Sequence, residues 1–203
     1  DFLWTAPHNG KVSKDTSEYY NHDLRRLKNN NYMVIGAKYT WRNVTPDVNL
    51  TRFRKENVDT TGPITRVKIL FNTIIEYNRK KEVVWSWNSS DYLSDKDLFA
   101  EGSSTNTPRR DLPTNAEIFG HMNAFDADST GEFVYAGFRD ISRVVKIKKS
   151  TGKVVNSWGV KMPSGEAKEG NDFFKNQHDL NLLPNGNIIL FNKAITTSNK
   201  IHI

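Results

Sequence analysis

Residues 173–192, FFKNQHDLNLLPNGNIILFN, decide how the rest of the chain is read. Asn176, Gln177, His178 and Asp179 form a dense polar cluster. Leu180, Leu182 and Leu183 lead into Pro184-Asn185-Gly186-Asn187, and Ile188, Ile189, Leu190 and Phe191 follow as an apolar run. Proline presets its own φ and Asn-Gly readily takes positive φ, so the middle of the stretch is a turn. Short apolar runs on both sides make it a β-hairpin and not a helix. His178 therefore opens the hairpin's first strand, with a polar rim on one side and core on the other.

The same plan recurs near the other end of the chain. HDLRRLKNNNYMVIG (22–36), laid on HDLNLLPNGNIILFN (178–192), matches at His-Asp-Leu, at the sixth-position leucine, at two turn asparagines and in the closing apolar run. Self-similarity of this kind points to a repeated sheet. Between the two hairpins, residues 66–93 give two more strands. Val67, Ile69 and Phe71 alternate, as do Ile75 and Tyr77, and a charged turn at 78–81 leads into Val83, Val84, Trp85 and Trp87. Residues 121–159 read as a four-stranded meander. His121 opens the first strand, Phe133–Tyr135 form the second, Val144–Ile147 the third and Val154–Trp158 the fourth. The segments VVWSW (83–87) and VVNSW (154–158) take the same outer-strand slot, and Trp85, Trp87 and Trp158 are expected between sheets.

A meander of about forty residues is the size of one propeller blade. The fold class expected is all-β, a β-propeller of four-stranded antiparallel blades with no helix. It is read as a single domain over 1–203 with long loops at about 40–64, 94–117 and 160–172. A propeller closes on roughly four to eight blades, and three or four sheets are countable, so the chain is read as an incomplete portion of one. Its opening on Asp1 fits a processed form or a fragment.

Composition narrows the function classes. No run of about 18 apolar residues exists, so no membrane-spanning helix is expected. The net charge of +6 favours anionic partners. The basic residues are scattered, however, and no recognition module accompanies them, which argues against nucleic acid. With no cysteine there is neither a disulfide nor a thiolate metal site. No metal-ligand spacing, Gly-rich phosphate loop or nucleophile elbow is present, so neither metal nor cofactor is expected. Sequons at Asn43, Asn49 and Asn88 lean towards a secreted, glycosylated protein.

The order of the motifs resembles the arylsulfotransferase (arylsulfate sulfotransferase) family, whose bacterial members are six-bladed β-propellers. The resemblance runs from about Tyr19 to Asn192. It rests on His22-Asp23-Leu24-Arg25-Arg26-Leu27, on Ile75-Glu76-Tyr77 through Trp85-Ser86-Trp87, on His121-Met122-Asn123 with Thr151-Gly152-Lys153-Val154-Val155, and on Gln177-His178-Asp179 with Pro184-Asn185-Gly186. It implies transfer of a sulfuryl group from an aryl sulfate to a phenol through a histidine. A neutral imidazole is a competent nucleophile near neutral pH. The charge on the transferring group calls for arginine and further imidazoles as donors. Carried over by position, the implied catalytic residues are His121, His178, Arg139 and His22, with Asn123, Gln177 and Asn176 as substrate-binding neighbours. In a propeller the three histidines would start inner strands and converge on the central mouth.

Two departures stand out. Asp140 follows Arg139 where the family often has histidine, and Asn192-Lys193-Ala194 replaces Asp-Asn-Gly. They support a second reading, an extracellular propeller without catalysis that binds a protein or an anionic polymer. Arg139 is then a salt-bridge partner of Asp140 or Asp126 instead of an anion clamp.

Overall fold

The computed structural model describes residues 4–99, 118–162, 164, 169–170, 174–193 and 201–202. Among them the strands form three sheets. The first contains β1 (Tyr19–Arg26), β2 (Tyr32–Asn43), β3 (Val58–Asp59), β4 (Arg66–Tyr77), β5 (Val83–Asn88) and β6 (Ile118–Phe119). Its body is the antiparallel meander β1-β2-β4-β5; β3 and β6 add short pairs to β4. The second contains β7 (Met122–Ala127), β8 (Phe133–Phe138), β9 (Arg143–Lys148) and β10 (Lys153–Gly159), with β11 (Glu169–Gly170) parallel to β10. The third contains β12 (His178–Leu182), β13 (Ile188–Phe191) and β14 (Ile201–His202).

The four strands of the second sheet fall where the alternation puts them. β5 and β10 hold the matching outer slots. The loop expected from residue 40 starts later, because β2 runs on to Asn43, paired along its whole length with the twelve-residue β4. Among the described residues one helix, α1 (Asp95–Phe99), and three 3-10 turns interrupt the all-β pattern. Residues 100–117, most of the second expected loop, and most of 160–172 lie outside the described residues. No helix among those described is long and apolar enough to cross a membrane, and the three sheets do not close into a ring.

Hairpin chemistry repeats from sheet to sheet. Leu27 donates its N–H to Asn31 and Asn30 donates back to Leu27; Leu183 and Asn187, Gly186 and Leu183 do the same. The residue before the last is left-handed in each turn, Asn30 at φ +65° and Gly186 at φ +85°. This is a type I turn followed by a left-handed residue, a common way to close a slightly longer hairpin.

The first strand of each sheet lies beside the first strand of the next, β1 by β7 and β7 by β12. Apolar side chains fill the seams. Met33, Ile35, Ile74 and Trp87 of the first sheet meet Phe125, Val134, Ala136, Phe138, Val145 and Ile147 of the second. Ala124, Tyr135 and Val144, on the second sheet's other face, meet Leu180 and Leu190 of the third. Trp87 and Trp85 donate their indole N–H groups to Gly152 and Lys149, in the turn before β10, while Trp158 stacks on Tyr135. The first sheet's remaining face carries Val34, Ile75 and Tyr77 and is covered by the N-terminal segment through Trp4, Ala6 and Val12.

Polar links reinforce the same seams. Glu76, almost fully buried, accepts from Lys149 of the second sheet and from Asn29 and Asn31 of its own. Arg25 reaches all three sheets. It pairs with Asp23 (3.4 Å) and Asp126 (3.6 Å) and donates to the Leu180 carbonyl (3.1 Å) and to Asn181 Oδ1 (3.0 Å). Asp23 and Asp126 also accept the amide N–H of Phe125 and of Leu182, each on the next sheet's inner strand. These bonds tie the first strands of the three sheets to one another.

Candidate active site

Each inner strand departs from regular pairing close to its predicted site residue. Register breaks lie between Asn21 and Leu24, between Met122 and Ala124, and between His178 and Asn181. A bulge re-aims side chains that the alternation would send elsewhere. Left-handed backbone accompanies each break: His22 at φ +60°, His121 at +51°, Asn176 at +50° and Asp179 at +53°. A non-glycine residue in that region is uncommon and carries strain that the surroundings must hold in place. Gly120, at φ +78°, precedes His121, and a Cβ there would stand 2.9 Å from the Phe138 ring. Glycine is therefore required at the turn that presents His121.

The three histidines do not occupy one slot, contrary to the expectation that each starts an inner strand. Counting back five residues from the turn residues Leu27, Asp128 and Leu183, whose N–H groups close the hairpins, gives His22, Asn123 and His178. Asn123 thus takes the second sheet's slot. His121 enters from just before β7, and His22 sits within β1, in its bulge; His178 alone opens its strand.

Two of the three side chains nonetheless meet. His22 Nε2 lies 3.0 Å from His121 Nε2, a contact between the first and second sheets, with ring centroids 4.9 Å apart. His121 is 5% exposed and His22 is exposed, so the pair runs from the interior to the surface. On the other side of His121, Nδ1 stands 3.9 Å from Asp140 Oδ2. Asp140 is held there by the backbone: Arg139 N–H bonds the His121 carbonyl and Asp140 N–H the Gly120 carbonyl. Arg139 Nε donates to Asp140 Oδ1 at 2.7 Å, so Asp140 and not Asp126 is its partner. That bond leaves the two terminal amino groups of the guanidinium outside it.

His178, half-buried, belongs to the same electrostatic neighbourhood. Burial holds its imidazole below the ordinary value, and the positive charges of Arg139 and Lys193 lower it further, while Asp140 acts in the opposite sense. The neutral ring therefore persists to lower pH than in an ordinary histidine. Gln177, 1% exposed, donates through Nε2 to the Phe138 and Arg143 carbonyls, and Asn123 donates to the Gln177 carbonyl. Exposed Asn176 donates to the Arg139 carbonyl. The three amides predicted to face substrate thus stitch the start of the third sheet to the second and hold His178 beside Arg139.

Asp140 and Lys193 carry charge into the site without having been singled out as site residues. Each was visible only as a departure from a family pattern. Of the sequons, Asn43 and Asn49 are exposed and Asn88 is half-buried; Asn49 Oδ1 accepts from the Thr51 hydroxyl and N–H, and Asn88 Oδ1 caps the following 3-10 turn.

Antiparallel meanders whose bulged first strands carry imidazoles, with a guanidinium and a carboxylate in the turn after β8, define a class, an all-β protein with a histidine-rich site. The sequence profile of the Arylsulfotransferase (ASST) family matches residues 8–202, and the chain belongs to that family. No curated protein matches the chain.

Proposed function

We propose that the chain is the histidine-bearing portion of a β-propeller that transfers a sulfuryl group from an aryl sulfate to a phenol. The observation that carries this reading is the His22–His121 contact across two sheets, beside the Arg139–Asp140 pair that is electrostatically linked to His178. His178 is the nucleophile, because its ring is kept neutral and is accessible. Arg139 and Lys193 hold the sulfonate oxygens, where charge accumulates in the transition state. The His22–His121 pair supplies a proton to the departing phenoxide and takes one from the incoming phenol.

Bond changes balance over two steps. The His178 nitrogen bonds to sulfur as the S–O bond to the aryl oxygen breaks, and that oxygen gains a proton. The acceptor phenol then loses its proton, its oxygen bonds to sulfur, and the N–S bond breaks. Turnover of a chromogenic aryl sulfate with a phenol acceptor tests the proposal. Release of the chromophore together with sulfation of the acceptor is expected, and His178→Asn abolishes both; absence of turnover by the complete protein refutes it.

The same reading takes the three sheets as consecutive blades of a six-bladed ring and places the protein outside the cell, with glycans at Asn43, Asn49 and Asn88. A mass loss on endoglycosidase treatment of the secreted protein checks the last point, and an unchanged mass contradicts it. One observation favours a scaffold without catalysis: Arg139 is already bonded to Asp140. In that case the propeller binds a protein or an anionic polymer without turnover, and the turnover assay separates the two.

A further inference from the structure

We propose that Asp140 is a positioning residue that fixes the tautomer of His121 and so makes His22 and His121 a single proton-exchanging unit. The inference rests on the sulfuryl-transfer reading for its catalytic meaning, while its structural content stands independently of it. Between two Nε2 atoms 3.0 Å apart, one must carry hydrogen and the other a lone pair. Nothing in the pair itself decides which.

Asp140 decides it. Its carboxylate faces His121 Nδ1 at 3.9 Å, and its turn is anchored by Asp140 N–H to the Gly120 carbonyl and Arg139 N–H to the His121 carbonyl. A carboxylate at that ion-pair distance favours Nδ1–H on His121 through its charge. His121 Nε2 is then the acceptor, and His22 Nε2–H is the donor. Asp140, in the turn after β8, is itself bonded by Arg139 Nε, and the charges of Arg139, Lys193 and Asp140 also act on His178. Asp140 also balances the charge when the pair takes up one proton.

The protonated pair has hydrogen on His121 Nδ1, one shared between the Nε2 atoms and one on His22 Nδ1, the ring nitrogen that does not face His121. As the S–O bond breaks, its electron pair passes to the aryl oxygen, which takes the His22 Nδ1 proton and leaves the pair neutral. In the second step the phenol proton returns to the same nitrogen. Asp140 thus gives the site a positioning group at the place where the family often has histidine.

The test is ¹⁵N NMR of the histidine rings in the full protein, combined with kinetics. His121 is expected as the Nδ1–H tautomer in the parent chain and in Arg139→Gln, which keeps the carboxylate. In Asp140→Asn its ring shifts move towards an Nε2–H or mixed form. In turnover, Asp140→Asn lowers kcat by roughly tenfold to a hundredfold with KM within about twofold, and it moves the acid limb of the pH profile; Asp140→Glu recovers part of the loss. An Nε2–H tautomer in the parent chain, or ring shifts unmoved by Asp140→Asn, overturns the proposal. If Asp140→Asn does not fold, the parent chain and Asp140→Glu decide by the same shifts. Absence of turnover with the tautomer as expected refutes sulfuryl transfer alone.

Discussion

The seam between the first two sheets and the rim where the histidines gather are built from the same strands by opposite means. In the seam, regular alternation turns Met33, Ile35 and Ile74 towards Phe125, Ala136 and Val145, and every backbone residue there is ordinary. At the rim, pairing breaks, the backbone turns left-handed at His22, His121 and Asp179, and polar groups replace apolar ones. Stability is concentrated in the seam. The rim draws on it to hold strained residues in place.

If that division holds, damage to the seam costs far more than damage to the rim. Trp87→Ala removes a 5%-exposed indole together with its bond to Gly152. The expected loss is about 3–5 kcal/mol, read from denaturant unfolding. A loss below about 1 kcal/mol would mean that the sheets are not joined through this tryptophan.

Glu76→Gln tests the polar link in the same seam. Burial acts most strongly on this carboxyl and raises its pKa, but hydrogen bonds from Lys149, Asn31 and Asn29 together outweigh it, so the group lies below the ordinary carboxylate value. A carboxylate depressed in the folded state stabilises above its unfolded pKa, and that stability is lost as pH falls through the folded value. The substitution is therefore expected to cost about 2–4 kcal/mol at neutral pH, and the difference closes in acid below about pH 4. A pH-independent difference contradicts this.

At the rim, Arg139→Gln and Lys193→Gln each raise the His178 pKa towards the ordinary value, Arg139 more than Lys193, because both charges now depress it. NMR titration of the ring measures the shift, and a fall in either variant breaks the assignment of the site's electrostatics. Asp179→Gly has the smallest effect. Relief of the φ +53° backbone offsets loss of the bond from Asn181, so stability changes by under about 1 kcal/mol, whereas Asp179→Val costs about 1–2 kcal/mol.

The two regions also differ in what could be read without coordinates. Alternation at Val67–Phe71 and Val144–Ile147, and the Pro-Asn-Gly turn, located the strands because each signal is local. The paired slots of Trp87 and Trp158 followed from the same local pattern. The histidines could be nominated, but not their arrangement. Asn123, and not His121, stands five residues before its hairpin's closing residue, in the slot of His22 and His178, and the bulges that re-aim the side chains leave no mark on the sequence. Gln177 and Asn123 read as substrate contacts; that their amide N–H groups bond the backbone between sheets is carried by no local signal. Asp140 was read as a loss because its partners, His121 Nδ1 and Arg139, come together only through the turn at Gly120. The extra run of β2 to Asn43 was hidden by polar residues that pair with the outer half of β4.

The most direct test of the account is to trap the group in transit. The protein is mixed with an aryl sulfate in the absence of acceptor and quenched in alkali, and its peptides are mapped by mass. The prediction is one sulfuryl group on the peptide carrying His178, absent in His178→Asn and formed more slowly in His22→Asn. A protein that gains no sulfuryl group, or gains it on a residue away from the three inner strands, would contradict the claim that these sheets assemble one histidine site.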